Sequence, residues 1–541
     1  MLENINPDKI DNLEDALKTI RALMNMLEKV LSVNEAQTQE LQALRDEVNR
    51  LKGEQGKPTF KASKQETKDH SSEKERRQPK AWRKGKKRDK IIIHQEKKLR
   101  LDKSELPGDA TFKGYQDVVV QDLVIKPNNS CFRKEKYYSP SSKKTYLAAM
   151  PAGYEGEFGP GLRALIPALY HGSGMTEPKI SEFLEQFEIV ISDGQISNIL
   201  TKNLTPWHAE KEAVTQAGLS STKWQHSDDT QTRVKGETYH CHILCNPYYT
   251  AYFTRPHKNR LTLIHLLQGS KQLQLYLNAH TQTWLNDVKV SKRTQAIIAR
   301  WPQERLIPEA ELKTLIERDL SHLNAQQQAR VWEAAALSAY DVQNKTPQLD
   351  ILLTDDAPQF CKLTPYHALC WVHEGRHYKK LSPFIAHHRQ LLDDFLTDFW
   401  DFYRALRDYR QQPRAPEAQR LRTRFDDLFS TTTGYEQLDQ RIAKTKAHGE
   451  KLLLVLDFPE LPLHNNPAEL GARQRVRKRH ISFGPRSQDG LEAWDTFMTL
   501  AETAKKLGVS FYAYLFDRVS QSYALPSLAQ LIDQQATSQT A

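Results

Sequence analysis

No apolar run in this 541-residue chain reaches the roughly 18 residues that a membrane-spanning helix requires, and its start, "MLENINPDKI", has neither the basic nor the apolar region of a secretory signal. The expectation is a cytoplasmic protein without a membrane partner. Cysteine is scarce as well: Cys131, Cys241, Cys245, Cys361 and Cys370 form no C-x-x-C pair. That excludes a disulfide framework and a four-thiolate zinc site, and it suits a reducing cytosol. From residue 10 to residue 51 both glycine and proline are absent. Leu13, Leu17, Ile20, Met24, Leu27 and Leu31, then Leu41, Leu44, Val48 and Leu51, recur there at alternating steps of three and four, with a flaw near Asn34. This heptad stripe predicts a coiled coil, and hence a homo-oligomer.

Positive charge is present in excess, and it is local. The net charge is +10, yet residues 52–103 alone hold 19 Lys and Arg against 8 Asp and Glu. The rest of the chain is therefore close to neutral. Within "RRQPKAWRKGKKRDK", Arg83, Lys84, Lys86, Lys87 and Arg88 suit a phosphate-binding arm, because release of counterions from DNA drives such binding without regard to base sequence. A merely solvated linker has the same composition.

The chain is long enough for three or four compact domains. After the helix (1–54) and the basic linker (55–103), residues 104–159 carry a β-rich patch, "DVVVQDLVIKP". Residues 160–215 then read as short helices: one through Leu162, Leu165, Ile166 and Leu169, a second over Pro178 to Phe187, and a third capped by Ser192. In the third, Ile196, Ile199 and Leu200 face inward, which leaves Gln195, Ser197 and Asn198 for the major groove if this is a helix-turn-helix. Residues 216–519 switch to strands, "KWQHSDDTQTRV", "GETYHCHILCNP" and "YYTAYFT", with Gly236 and Asn246-Pro247 as breaks. Three antiparallel strands are expected, then a buried strand "LDILLTDDAPQF", with helical insertions at about 258–345 and 381–450; residues 520–541 form a tail. The predicted class is α+β and multidomain, with a mixed α/β domain interrupted by helices.

Three acidic positions end or begin regular elements. Strand alternation puts Asp228 on the face of Trp224, His226 and Thr230, and Asp229 on the other. Asp355, with Asp356 one residue away as the alternative, lies where a buried strand delivers its carboxyl end, the place where open α/β sheets hold ligands. Asn466 is expected to cap a helix beginning at Pro467, with Glu469 as the Glu of a capping box. Each carboxylate has a plain structural use, but two strand aspartates and a helix glutamate are also what a two-ion phosphoryl-transfer site needs. Mg²⁺ takes oxygen ligands and keeps several waters, so a few carboxylates from separate elements suffice. Arg473, Arg475, Arg477, Lys478 and Arg479 follow and add positive charge for a DNA backbone.

"CWVHEGRHYKKL" contains His373-Glu374-Gly375-Arg376-His377, the H-E-x-x-H pattern of zinc proteases. That chemistry needs a helix presenting both His to zinc and a third ligand, for which His387-His388 are candidates. The apolar "ALCWV" before it reads as a strand instead, so no zinc is expected, and Arg376 is assigned to a DNA phosphate.

"HSDDT", "TDDAPQF" with "CWVHEGRHY", "HNNPAELGARQRVRKRHISFGPRS" and "LGVSFYAYLFDRV" resemble, in order, successive blocks of the TnpC-type transposases of the insertion sequence sixty-six family. Members show an H-x-D-E-T block, a D-G-Y block before C-W-A-H-x-R-R, and D-N-N-x-x-E-R before R-K-x-W-x-F. The resemblance implies a ribonuclease-H-like domain whose DDE triad is Asp228, Asp355 and Glu469, holding two Mg²⁺ ions, with Mn²⁺ as substitute. It also implies double-stranded DNA as partner, accessory proteins encoded beside the gene, and a bacterial location at the nucleoid when bound to DNA. An inactive, DNA-binding descendant of such a transposase would retain much of the same pattern. The chain departs from the family at Asp229, where Glu is usual, in having Cys131 alone where a cysteine patch is common, and in a long span between the two aspartates.

Overall fold

The computed structural model describes residues 12–52, 91–102, 107, 110–342 and 349–540. The N-terminal helix, Leu13–Leu51, is capped by the Asn12 side chain, which accepts the Asp15 N–H at 2.9 Å. It runs unbroken through Asn34, so the flaw in the stripe does not interrupt it. Residues 110–135 form no strand. Within the expected β-rich segment the stretch "DVVVQDLVIKP" is corrected: among the described residues no strand pairs with it, and Val118, Val120, Leu123 and Val124 stay exposed. The hairpin lies later, at β1 (Lys136–Ser139) and β2 (Lys144–Leu147).

Three short helices follow, Pro160–Pro167 continued by a wider turn over Ala168–Gly172, then Glu177–Glu185 and Asp193–Thr201. Thr176 and Ser192 cap the second and third by accepting the N–H three residues on. Ile166, Ile180, Leu184, Ile196 and Leu200 close a small core against Trp494. A further helix, Thr205–Ser220, leads into the central sheet.

That sheet has the order β5-β4-β3-β8-β9. β3 (Trp224–Val234), β4 (Glu237–Cys245) and β5 (Thr250–Arg255) are antiparallel, while β8 (Ile351–Thr354) and β9 (Tyr366–Leu369) run parallel to β3. The β3–β4 turn is made by Lys235 and Gly236, both at positive φ (51° and 84°), the twist that favours a two-residue hairpin loop. All four residues of β8 are buried, as befits a strand covered on both faces. β5 is an edge strand, and the helix Gln488–Leu507 runs along it. Thr503 and Thr499 accept the N–H groups of Thr250 and Tyr252 at 3.2 and 3.1 Å, and Asp495 accepts that of Thr254 at 2.6 Å. Steps of four on the helix match steps of two on the strand, so the open edge is satisfied.

Both insertions are helical and carry their own cores. Between β5 and β8, helices Arg260–Gln268, Ala279–Asp287, Lys292–Ile298, Glu309–Asp319 and Ala325–Val342 accompany a short pair, β6 (Tyr276–Leu277) and β7 (Arg305–Leu306). After β9, helices Trp371–Lys379, Ala386–Gln411, Ala415–Leu428 and Glu436–Ala447 bury Trp371, Phe399, Phe402, Phe425 and Phe429 together. The apolar "CWV" therefore opens a helix rather than extending a strand. Its side chains fill this aromatic core, and Cys370 caps the helix by accepting the His373 N–H. The helix Asn466–Ser482 returns the chain to β3 and β4.

Candidate active site

The β3–β8 register pairs Trp224 with Ile351 and His226 with Leu353. Carried two residues further, one past the end of β8 at Thr354, that register puts Asp355 level with Asp228 of β3, at a neighbouring-strand spacing of about 4.8 Å. Side chains at matching positions share a face, and the Asp355 charge is among those that act on the Asp228 carboxyl. Burial first, then the nearby charges of Asp355, Asp229 and Glu469, push the Asp228 carboxyl up to about 7, although it accepts the Asp229 N–H at 2.8 Å. Asp356, the sequence alternative, turns away to His448 at 3.3 Å and Lys451 at 3.6 Å. Asp229 takes the Gln359 amide at 3.0 Å.

Glu469 reaches the same corner from the helix Asn466–Ser482. Its position differs from the expectation: Asn465, not Asn466, is the N-cap, no side chain caps the helix, and Glu469 is the fourth helical residue. Asn465 is committed elsewhere. It accepts from His226 Nδ1 at 2.9 Å, donates to the Ser227 carbonyl at 2.7 Å, and gives its N–H to Cys370 Sγ at 3.2 Å. This residue ties the start of the Glu469 helix to β3 beside Asp228 and to the junction after β9. Burial holds His226 neutral by lowering its value to about 3, which suits that fixed hydrogen bond. Sequence reasoning overlooked Asn465, although it stands in the quoted "HNNP" block; a cap was sought one residue later.

Glu469 is gripped by Arg376 through both terminal nitrogens, each at 2.9 Å. Arg376 is therefore paired with a carboxylate in this arrangement rather than held free for phosphate. Among the described residues no three His, Cys, Asp or Glu side chains converge closely enough to share one ion.

The helix period sorts the basic residues after Glu469. Arg473 and Arg477 are exposed, four residues apart on one face. Arg475 and Lys478 point inward. The Arg475 guanidinium lies 3.4 Å from Asp495 and donates to Thr254 Oγ1 at 2.9 Å. Lys478 donates to the Tyr170 carbonyl at 2.8 Å and lies 3.1 Å over the Tyr170 ring; burial lowers its value to about 7. Its expected phosphate contact is thus corrected, since the ammonium is spent inside. Arg479 is half-buried and donates to the Gln231 carbonyl. Asn198 is exposed, with Gln195 and Ser197 half-buried beside it on the third short helix. Arg83, Lys84, Lys86, Lys87 and Arg88 lie outside the described residues.

The H-E-x-x-H pattern does sit on a helix, with the His373 and His377 rings 4.9 Å apart. Glu374, however, is buried and bound by Arg441 and Thr445. A carboxylate in that core cannot polarise a water held between the two His.

Two comparisons bear on the chain. A model of the Transposase IS66 family matches residues 347–493, a stretch that includes Asp355, Arg376 and Glu469. The uncharacterized protein y4jO of Sinorhizobium fredii is 33% identical over 317 residues, which cover 58% of this chain and 98% of that protein.

Proposed function

This chain belongs to the Transposase IS66 family, and from that premise we propose that it cuts and joins DNA by a Mg²⁺-dependent DDE mechanism in a ribonuclease-H-like domain. The supporting observation is the placement of Asp228, inside β3, beside Asp355, just past the carboxyl end of the adjacent parallel strand β8. A sheet of three antiparallel strands followed by two parallel ones, with Glu469 arriving on a later helix, supports the same reading.

The residues fit a divalent cation. Asp228 is raised to about 7 by burial and by like charges, the condition that an oxygen-seeking cation relieves. Asp228 and Asp355 would hold it, with Glu469 as the third ligand. When bound, Mg²⁺ supplies charge for the scissile phosphate and makes water a usable nucleophile. Asn465 fixes the helix that carries Glu469 against β3. The exposed Arg473 and Arg477, the exposed Asn198 with Gln195 and Ser197, and the basic arm around Arg83 would take the DNA backbone and element ends. The helix Leu13–Leu51 keeps its leucine stripe exposed, which suits assembly with a second copy; accessory proteins of the same element complete the proposed partners, and a cytoplasmic site follows from DNA as substrate.

Supercoiled DNA carrying the element's ends, incubated with Mg²⁺, is expected to be nicked by the wild-type protein. Asp228→Asn and Asp355→Asn should lose at least about a hundredfold of that rate, while Asp356→Asn should keep most of it. Equal nicking by Asp228→Asn would sink the assignment. Specific end binding without any nicking would point to the inactive descendant.

A further inference from the structure

Arg376 lies on the helix Trp371–Lys379, held in place by the cap at Cys370 and by the aromatic core beneath. The bidentate fork by which it holds Glu469 is also the geometry with which a guanidinium takes a phosphate. The two partners differ in access: the Arg376 side chain is 42% exposed and that of Glu469 20%. The guanidinium therefore covers the carboxylate and itself faces solvent. Asp228 also acts on Arg376 electrostatically, after Glu469.

Given the assignment of Asp228, Asp355 and Glu469 as the cation site, we infer that Arg376 is a positioning residue that keeps Glu469 out of that site until DNA arrives. An incoming phosphate competes for the guanidinium with the fork it already uses. Once Arg376 turns to the phosphate, its fork no longer draws Glu469 away from the two aspartates. DNA and cation binding are then coupled, and by linkage each tightens the other by the same factor. The protein would assemble its cleavage site on its substrate and hold it apart otherwise. An ordinary half-exposed ion pair would do none of this, because such pairs contribute little and exclude nothing.

Mn²⁺ titrated into the full-length protein, followed by loss of the free-ion signal in electron paramagnetic resonance, reads the coupling directly. A short duplex of arbitrary sequence serves as the phosphate source. In the wild type the duplex should tighten Mn²⁺ binding by about tenfold. Arg376→Gln should bind Mn²⁺ without DNA about as tightly as the wild type does with it, and the duplex should add little. Arg376→Lys keeps the charge but cannot form the fork, so it should fall between; it also carries the comparison if the Gln protein does not fold. Mn²⁺ binding by both Arg376 variants that is unchanged or weaker than wild type overturns the inference. So does an equal gain from Arg376→Gln in a Glu469→Gln background, which would mean that Arg376 acts on the aspartates by charge alone. Asp228→Asn separates the two claims: if it leaves Mn²⁺ binding intact, the cation site and the latch fall together, whereas if it abolishes binding and the Arg376 variants show no gain, the latch alone falls.

Discussion

Asp228 carries a cost that its proposed role explains. Its folded value of about 7 lies well above the ~3.9 of an unfolded aspartate. Between those values the folded state keeps the proton and the unfolded state does not, so stability falls as pH rises from about 4 and the loss is complete above about 7. Asp228→Asn should accordingly stabilise the cation-free protein by about 2 kcal/mol at pH 8, after allowance for partial exposure, and by roughly a third of that at pH 5. Denaturant titration at the two pH values checks this; a gain that is larger at pH 5 would contradict it. The same substitution should remove cleavage, the usual opposition between a site's stability and its activity. At this scale the places of Asp355 and Glu469 at element ends were legible, whereas Asp228, expected at an element end too, lies inside β3. Their partners were not: that Arg376 holds Glu469 and that Asn465 holds His226 depends on residues 93 and 239 positions apart, and no local pattern encodes such a pair.

Periodicity decides what each element can offer. In Asn466–Ser482 up to about half a turn of rotation separates Arg473 and Arg477, which face solvent, from Arg475 and Lys478, which the Tyr170 and Trp494 rings receive. A run of five basic residues reads as one patch in the sequence; on a helix it becomes two faces with different work. The helix Trp371–Lys379 shows the converse. A short apolar run is ambiguous between strand and helix, and "ALCWV" spans the end of β9 and the start of this helix. Gly375 is the place where the helix meets its core: a Cβ there would come within 2.7 and 2.9 Å of the Trp400 ring and 3.2 Å of Phe399. Both rings are buried and have little room to yield. Gly375→Ala should therefore destabilise the protein by about 1–3 kcal/mol, despite the higher helix propensity of alanine. Thermal melting of the purified variant tests this, and a melting temperature at or above that of the wild type would show that the core can give way. Because Arg376 is the next residue, the shift should also loosen the fork on Glu469.

Across the whole molecule, the N-terminal helix is joined to the second insertion by polar contacts from a face adjoining its leucine stripe. Buried Glu28 accepts the N–H groups of Phe384 and Ile385 at 2.6 and 3.2 Å and pairs with His388 Nδ1 at 3.1 Å. Asn25 bridges the Gly434 carbonyl and the Glu436 N–H, and Lys29 meets Glu436 at 2.7 Å. The apolar stripe stays exposed, with Leu13 and Leu51 above 70%. Removal of residues 1–52 should therefore convert an oligomer into a monomer in light scattering while leaving the central sheet folded. A wild-type monomer, or an unchanged mass after truncation, would refute the coiled-coil assignment. The sequence by itself determined most of the helices, the three antiparallel strands and the order of the acidic positions, though not the helix Trp371–Lys379. Those features follow from local periodicity, capping and turn residues, and they are encoded within a few residues of where they occur. Only the tertiary structure decided which strand Asp228 stands beside, that Asp356 pairs with His448 and Lys451, and that Arg376 occupies Glu469. The β3–β8 pairing and the Arg376–Glu469 ion pair join segments more than ninety residues apart, and their geometry exists only once the intervening helices have packed.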